Sequence, residues 1–362
     1  MNLVMKIRNP TGEIYQFVPK RFDVLKYGDL LSALVKKDKT YHFNCDVESV
    51  EVERDGVKTV ENKNRASFAI NFREPLRVYG LVDGGWLPPP FVNPPNLLAD
   101  SNVIGYLAEI AKGNAVAPVQ AAGWWFKLVT NPKLLINPLP YAFEGNRRRT
   151  PTFEEFEQSY AEATRIIKEN LPHANVIEFQ DEHFRAAYDL LADLAKRDEK
   201  EMEFLINAAP LVADGVPTAK LLETETEILK TARDLGVQPK SSLAVLSLLS
   251  CLYDDGRSGY ATARKVIKPR VGYSEENAYN ALADLGGLRL FLGAIALSRL
   301  PEFESFAFCT FDQAIALLWC GFEFHKIEFN KSSGLDATYI FDENLFPRLD
   351  EAERKELTKR LI

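Results

Sequence analysis

Hydrophobic and polar residues alternate with a period of two at Val4 to Ile7, Ile14 to Val18, Val47 to Glu53, Ala66 to Phe72 and Leu76 to Val82. Such alternation predicts half-buried strands. Between them, Phe22 to Lys36 carries Leu25, Leu30, Leu31 and Leu34 near helical spacing, so residues 1–85 read as a small α+β unit. The stretch WLPPPFVNPP then holds five prolines in ten residues. Proline can neither continue a helix nor donate to a central ladder, which places the main boundary at 86–95, a linker whose Trp86, Phe91 and Val92 are apolar enough to pack.

From Asn96 the pattern changes to a short strand, Leu97 to Ala99, and a helix through Val103, Leu107 and Ile110 ending near Gly113. A loop-rich stretch passes through Trp124, Trp125, Pro132 and Pro138. Thr150 and Pro151 then signal a helix start, with Thr as N-cap and Pro at the first position, followed by the apolar stripe Phe153, Phe156, Tyr160, Ala163 and Ile167. Helical patterns continue over roughly 181–197, 200–213, 218–235, 241–253, 258–267 and 275–299. Strand and helix alternate again at Phe306 to Cys309, Gln313 to Trp319 and Phe324 to Phe329. There is no internal repeat and no low-complexity tract.

A chain of 362 residues is long enough for two or three packed units. With 46% hydrophobic and 26% charged residues, its balance excludes global disorder and collagen-like composition. Its apolar runs, such as Leu243 to Leu252, fall short of the roughly 20 residues that cross a bilayer, and Met1 to Lys20 lacks the apolar stretch of a secretory signal. Cys45, Cys251, Cys309 and Cys320 have no C-x-x-C spacing, which suits a reduced, cytoplasmic protein. His42, His173, His183 and His325 never approach zinc-ligand spacing. The net charge of -7 argues against coating nucleic acid through bulk positive charge, while leaving room for a local basic groove.

Three segments carry candidate chemistry. In Asn96 to Ile104 an apolar strand ends in Asp100 and a helix begins at once, the position at the carboxyl edge of a parallel sheet where α/β proteins bind ligands; the plainer reading is that Asp100 or Ser101 caps the helix. The strand Phe306 to Cys309 repeats this arrangement with Thr310-Phe311-Asp312. Two neighbouring carboxylates at such an edge repel one another unless a cation sits between them. In the helix Ala278 to Leu290, Asp284 shares a face with Asn280 among apolar neighbours, and Gly286-Gly287 signals close packing or a kink.

The strand-Asp-Ser-Asn-Val start, the internal helical Asp and the late strand-Thr-x-Asp-helix resemble the PIN-domain (PIN-like) nucleases. That resemblance implies an α/β fold with a parallel sheet flanked by helices, and three or four carboxylates, Asp100, Glu144, Asp284 and Asp312, holding one or two Mg²⁺ or Mn²⁺ ions. Glu144, in P-Y-A-F-E-G-N, is the favoured glutamate; Glu223, Glu225, Glu227 and Asp254-Asp255 compete with it. The sequence departs from compact members in a helical insertion at about 151–270 and in its N-terminal unit, so the likeness covers about half of the chain.

Hard oxygen ligands suit a cation that activates water against a phosphodiester, consistent with the absence of G-x-S-x-G, P-loop and H-E-x-x-H motifs. Arg147, Arg148 and Arg149, and the run Arg257, Arg264, Lys265, Lys268 and Arg270, offer phosphate contacts, or else solvated surface. Asn102, Asn280 and Thr310 are expected beside the substrate, and Trp124, Trp125 and Phe126 stack on bases or fill core. The resulting expectation is a metal-dependent endoribonuclease, a toxin or defence effector, with RNA as partner, DNA as the alternative, no membrane, and room for an inhibitor protein or self-association. The alternatives are a PIN-fold interaction protein that does not cut and a structure-selective DNA nuclease.

Overall fold

The computed structural model describes residues 4–9, 11–36, 39–72, 76–92, 96–112, 134–144, 149–179, 181–299, 305–330 and 334–362. The fold is mixed α/β. Its N-terminal part contains β1 (Met5–Arg8), β2 (Ile14–Phe17), β3 (Pro19–Phe22), α1 (Tyr27–Val35), β4 (Thr40–Val47), β5 (Val50–Arg54), β6 (Val57–Glu61) and β7 (Arg65–Asn71). These strands form two antiparallel sheets, ordered β1-β2-β5-β6 and β3-β4-β7. In β4 the alternate side chains of Tyr41, Phe43, Cys45 and Val47 point inward, and the Asp55-Gly56 turn, positive φ at both residues, folds β6 back on β5.

The chain then builds a six-stranded sheet from β8 (Tyr79–Val82), β9 (Gly85–Leu87), β10 (Asn96–Ala99), β11 (Leu135–Asn137), β12 (Asn175–Val176) and β13 (Phe306–Thr310). Its order is β12-β11-β10-β13-β8-β9; β10 to β13 run parallel, and β8 and β9 add antiparallel at one edge. Trp86, Leu87, Phe91 and Val92 of the proline-rich stretch are buried, and Phe91 stacks on Phe22 at 4.5 Å. From β10 the chain steps outward through β11 to β12, then returns to the other side of β10 as β13. The topological switch therefore falls between β10 and β13, where open sheets of this kind leave a crevice at their carboxyl ends.

The helices are α2 (Ser101–Ala111), α3 (Leu139–Glu144), α4 (Phe153–Asn170), α5 (Asp181–Ala208), α6 (Leu221–Asp234), α7 (Leu243–Tyr253), α8 (Thr262–Ile267), α9 (Glu275–Ser298), α10 (Gln313–Gly321) and α11 (Glu351–Arg360). Helix α4 starts two residues later than Thr150-Pro151 suggested, because Thr152 and Glu155 form a reciprocal capping box. It lies between β11 and β12, so it belongs to a crossover of the main sheet. The expected break near 197–200 is absent: Arg197-Asp198-Glu199-Lys200 has no Gly or Pro, and α5 runs through it. Phe324 to Phe329 lies in β14 (Phe322–Asn330), which pairs antiparallel with β15 (Gly334–Phe341) rather than rejoining the main sheet. By length and composition α9 could cross a bilayer, yet its apolar residues, Leu285, Leu288, Phe291 and Ile295 among them, are core residues here. The four cysteines are free and buried.

Candidate functional site

Asp100 follows β10 directly and is the N-cap of α2, its Oδ1 accepting from Ser101 N at 2.8 Å. Capping and site position coincide here. In the next strand the register pairs Ala99 with Cys309, which sets Thr310 beside Asp100. The fully buried Thr310 hydroxyl donates to Asp100 Oδ2 at 2.6 Å and accepts from Asp312 N at 3.0 Å. Asn102 closes the network: its Nδ2 donates to Asp100 Oδ2 (2.7 Å) and Thr310 Oγ1 (3.0 Å), and its Oδ1 accepts from Phe311 N (3.0 Å). Asp312 caps α10 with Oδ1, which accepts from Ala314 N and Ile315 N at 2.7 and 2.9 Å. Two strand ends and two helix starts are thus joined through four side chains.

Glu144 is the last residue of α3, which follows β11; Asn137 Oδ1 accepts from Leu139 N at the start of that helix. The Tyr279 hydroxyl of α9 donates to Glu144 O at 3.3 Å and holds α3 against α9. Asp284 arrives on α9. Gly287, one turn later, lets this helix approach β13: a Cβ there would stand 2.9 Å from Phe308 Cζ. Asn280 lies one turn before Asp284 and is exposed.

Electrostatics link the acids across these elements. Burial, with Glu144 and Asp312 nearby, pushes Asp100 up to about 7, against the downward pull of its bonds to Thr310 and Ser101. Burial, then the charge of Asp312, pushes Asp284 up to about 7, with Glu144 and Asp100 adding to it and Lys268 opposing. Burial also raises Glu144. The Ser101 hydroxyl lies close enough to the Glu144 carboxyl to oppose that rise, and among the described residues its buried Oγ has no partner in hydrogen-bond geometry. Each acid keeps some exposed surface, so the cluster stands at a rim open to solvent.

The competing acids are occupied elsewhere. Glu225 is buried, accepts from Arg360 at 2.5 and 2.9 Å, and binds the Tyr253 hydroxyl; Glu223 and Glu227 point to solvent on the same helix. Asp254 and Asp255 form the loop ahead of Gly256 and accept from Gly256 N and Arg257 N. Arg149 is taken up by Glu155 at 2.7 and 2.9 Å. Arg147, Arg148, Trp124, Trp125 and Phe126 lie outside the described residues. Ser101 enters the sequence reading only as a possible helix cap, and nothing in the sequence marks Tyr260, whose ring lies 3.2 Å from Lys265 Nζ. An open groove of about 680 Å³ runs along α4 past Glu157, Tyr160, Thr164 and Phe184, and contains none of the four acids.

Family models, curated proteins and solved structures yield no match to this chain. The donor set itself can be tested against a divalent cation. Among the described residues, no three Asp, Glu, His or Cys side chains stand gathered tightly enough to hold an ion as they are. Their chemistry fits one nonetheless. Asp100, Glu144, Asp284 and Asp312 are hard oxygen donors, three with protonation favoured by burial, and the unpartnered Ser101 Oγ stands among them.

Proposed function

We propose that this chain is a divalent-cation-dependent nuclease of the PIN-like kind that hydrolyses RNA phosphodiester bonds, with helices α5 to α8 as an elaboration of that fold. The observation that carries the reading is the pair Asp100 and Asp312 at the switch between β10 and β13, tied together through Thr310 and Asn102. A purely structural pair of caps has no need of a buried threonine bridging both.

Asp100, Glu144, Asp284 and Asp312 would hold Mg²⁺ or Mn²⁺. When bound, such an ion polarises the phosphoryl oxygen and lowers the pKa of water, so no side-chain nucleophile is needed. The chain's part is orientation. Thr310 Oγ1–H fixes Asp100 Oδ2, and Ala314 N and Ile315 N fix Asp312 Oδ1. Burial favours the protonated form of Asp100 and Asp284, which a bound cation would oppose.

The test compares Mn²⁺-dependent cleavage of structured RNA, unstructured RNA and branched DNA by the parent, Asp100→Asn and Asp312→Asn. The expected result is RNA cleavage by the parent and a loss of about a hundredfold or more in each variant. Equal activity in all three proteins rejects the site. A parent that binds Mn²⁺ without cutting any substrate supports the interaction-protein reading, and preference for branched DNA reassigns the substrate. The toxin or defence role rests on the resemblance alone; growth arrest on expression, lost in Asp100→Asn, supports it.

A further inference from the structure

The basic run from Arg257 to Arg270 divides sharply by what its members touch. Arg257 binds Asp255, Arg264 donates to Ala213 O and Cys251 O at 3.4 and 3.2 Å, and Arg270 Nε reaches Lys268 O at 3.5 Å. Those three guanidiniums are used by the fold. Lys265 and Lys268 are exposed, and among the described residues neither forms an ion pair.

Both lysines nevertheless have fixed settings. Lys265 Nζ lies 3.2 Å from the centroid of the Tyr260 ring, and its helix packs against α10, which Asp312 caps, and against α9, which carries Asp284. Lys268 is the C-cap of α8 in the left-handed region, φ +53°, where Gly or Asn is the usual residue. Its charge is felt at Asp284. The helix carrying Lys265 is anchored at its start, where the Tyr27 hydroxyl and Thr262 Oγ1 share a buried hydrogen bond of 2.7 Å. A strained cap with an unpaired cation beside an acid cluster is an expensive arrangement for stability alone.

We propose that Lys265 and Lys268 form a phosphate-binding subsite for a single-stranded RNA substrate, on the α8 side of the acid cluster. This rests on the nuclease reading for its substrate but not for its test. Two cations there offset the repulsion between the acids and an incoming phosphodiester backbone, and Tyr260 holds one of them in place. Phosphate contacts carry no sequence information, so the subsite sets affinity and register without base preference.

Binding of a labelled oligouridylate to the full chain is measured by fluorescence anisotropy in EDTA, over a salt series. The double variant Lys265→Gln/Lys268→Asn removes both charges while keeping a residue that tolerates the left-handed cap. It is expected to bind about tenfold more weakly and to lower the slope of log Kd against log salt by about 1.4. Lys265→Arg/Lys268→Arg is expected to retain both affinity and slope. Unchanged binding in the neutral pair, equal loss in the arginine pair, or a parent that binds no RNA overturns the subsite. If the neutral pair loses RNA while the parent never cuts in Mn²⁺, the subsite stands and the nuclease reading falls. If the parent cuts while the neutral pair binds and cuts like it, the subsite falls and the nuclease reading stands.

Discussion

Helix α9 carries two polar sites five residues apart, one at the buried Arg289 and one at the half-buried Asp284, and they are built on opposite principles. At Arg289 the chain brings Asp198 and Glu201 from α5 onto one guanidinium, with Nη2 donating to Glu201 Oε2 at 2.5 Å and Nη1 bonded to Asp198. Burial alone would lower the pKa of that guanidinium, but the two carboxylates override it and hold it up. At Asp284 the same helix faces Asp100, Glu144 and Asp312, and the cation it senses is a lysine that forms no ion pair there. Arg360 on Glu225 repeats the first principle. This chain therefore neutralises buried carboxylates with arginine where they serve the fold, and leaves them uncompensated at the switch edge of the sheet.

The largest effect is expected from breaking the compensated site. Arg289→Met leaves Asp198 and Glu201 buried without their donor and should destabilise the protein by about 3–5 kcal/mol, read from denaturant unfolding. A loss below about 1 kcal/mol would show that water reaches this triad and that the contrast between the two sites on α9 is overstated.

The uncompensated site should respond with the opposite sign. An acid whose folded pKa stands above its unfolded value near ~4 keeps a proton in the fold that the unfolded chain releases. Its contribution to stability is complete below about pH 4 and is lost as pH rises towards 7. Without metal, the parent's melting temperature should fall across that window, and Asp284→Asn should flatten the fall and stabilise the protein by about 1–3 kcal/mol at pH 8. Added Mn²⁺ should raise the parent's melting temperature more at pH 8 than at pH 5, and raise the variant's little at either. Should Asp284→Asn melt below the parent at pH 8, the carboxylate has a compensating partner and the comparison fails.

The contrast explains which parts of the molecule were legible in the sequence. Asp100 and Asp312 could be read because each ends an apolar strand and opens a helix, a local pattern that the parallel register of β10 and β13 turns into a neighbourhood. Asp284 was suggested by an acid within an apolar helical stripe. Arg289 sits in the same stripe without comment, because its partners are roughly 90 residues away on α5 and no local rule pairs them. The elements were clearest where periodicity was unbroken. β12, with two residues, has too little sequence to alternate, and β14 with β15 looked like a lone strand because a hairpin partner is defined by pairing rather than by composition. Basic residues were the least legible: only the contacts distinguish a guanidinium tied to carbonyls from an ammonium left exposed beside an acid.

That last distinction yields the smallest expected effect. Arg149 looks from sequence like a member of an Arg-Arg-Arg phosphate grip, whereas its guanidinium makes two bonds to Glu155 and one, at 3.1 Å, to Thr150 O. Glu155 also accepts from Thr152 N at 2.9 Å, so the start of α4 keeps its capping box without the arginine. An exposed pair of this kind contributes little to stability because water and salt screen it. Arg149→Ala should therefore leave RNA affinity in EDTA and its salt slope at the parent's values, with only a slight drop in melting temperature. If instead it weakens RNA binding as strongly as loss of the two lysines, pairing with Glu155 does not remove a cation from the substrate face. The division between compensated and uncompensated charge would then cease to predict where this molecule meets its ligand.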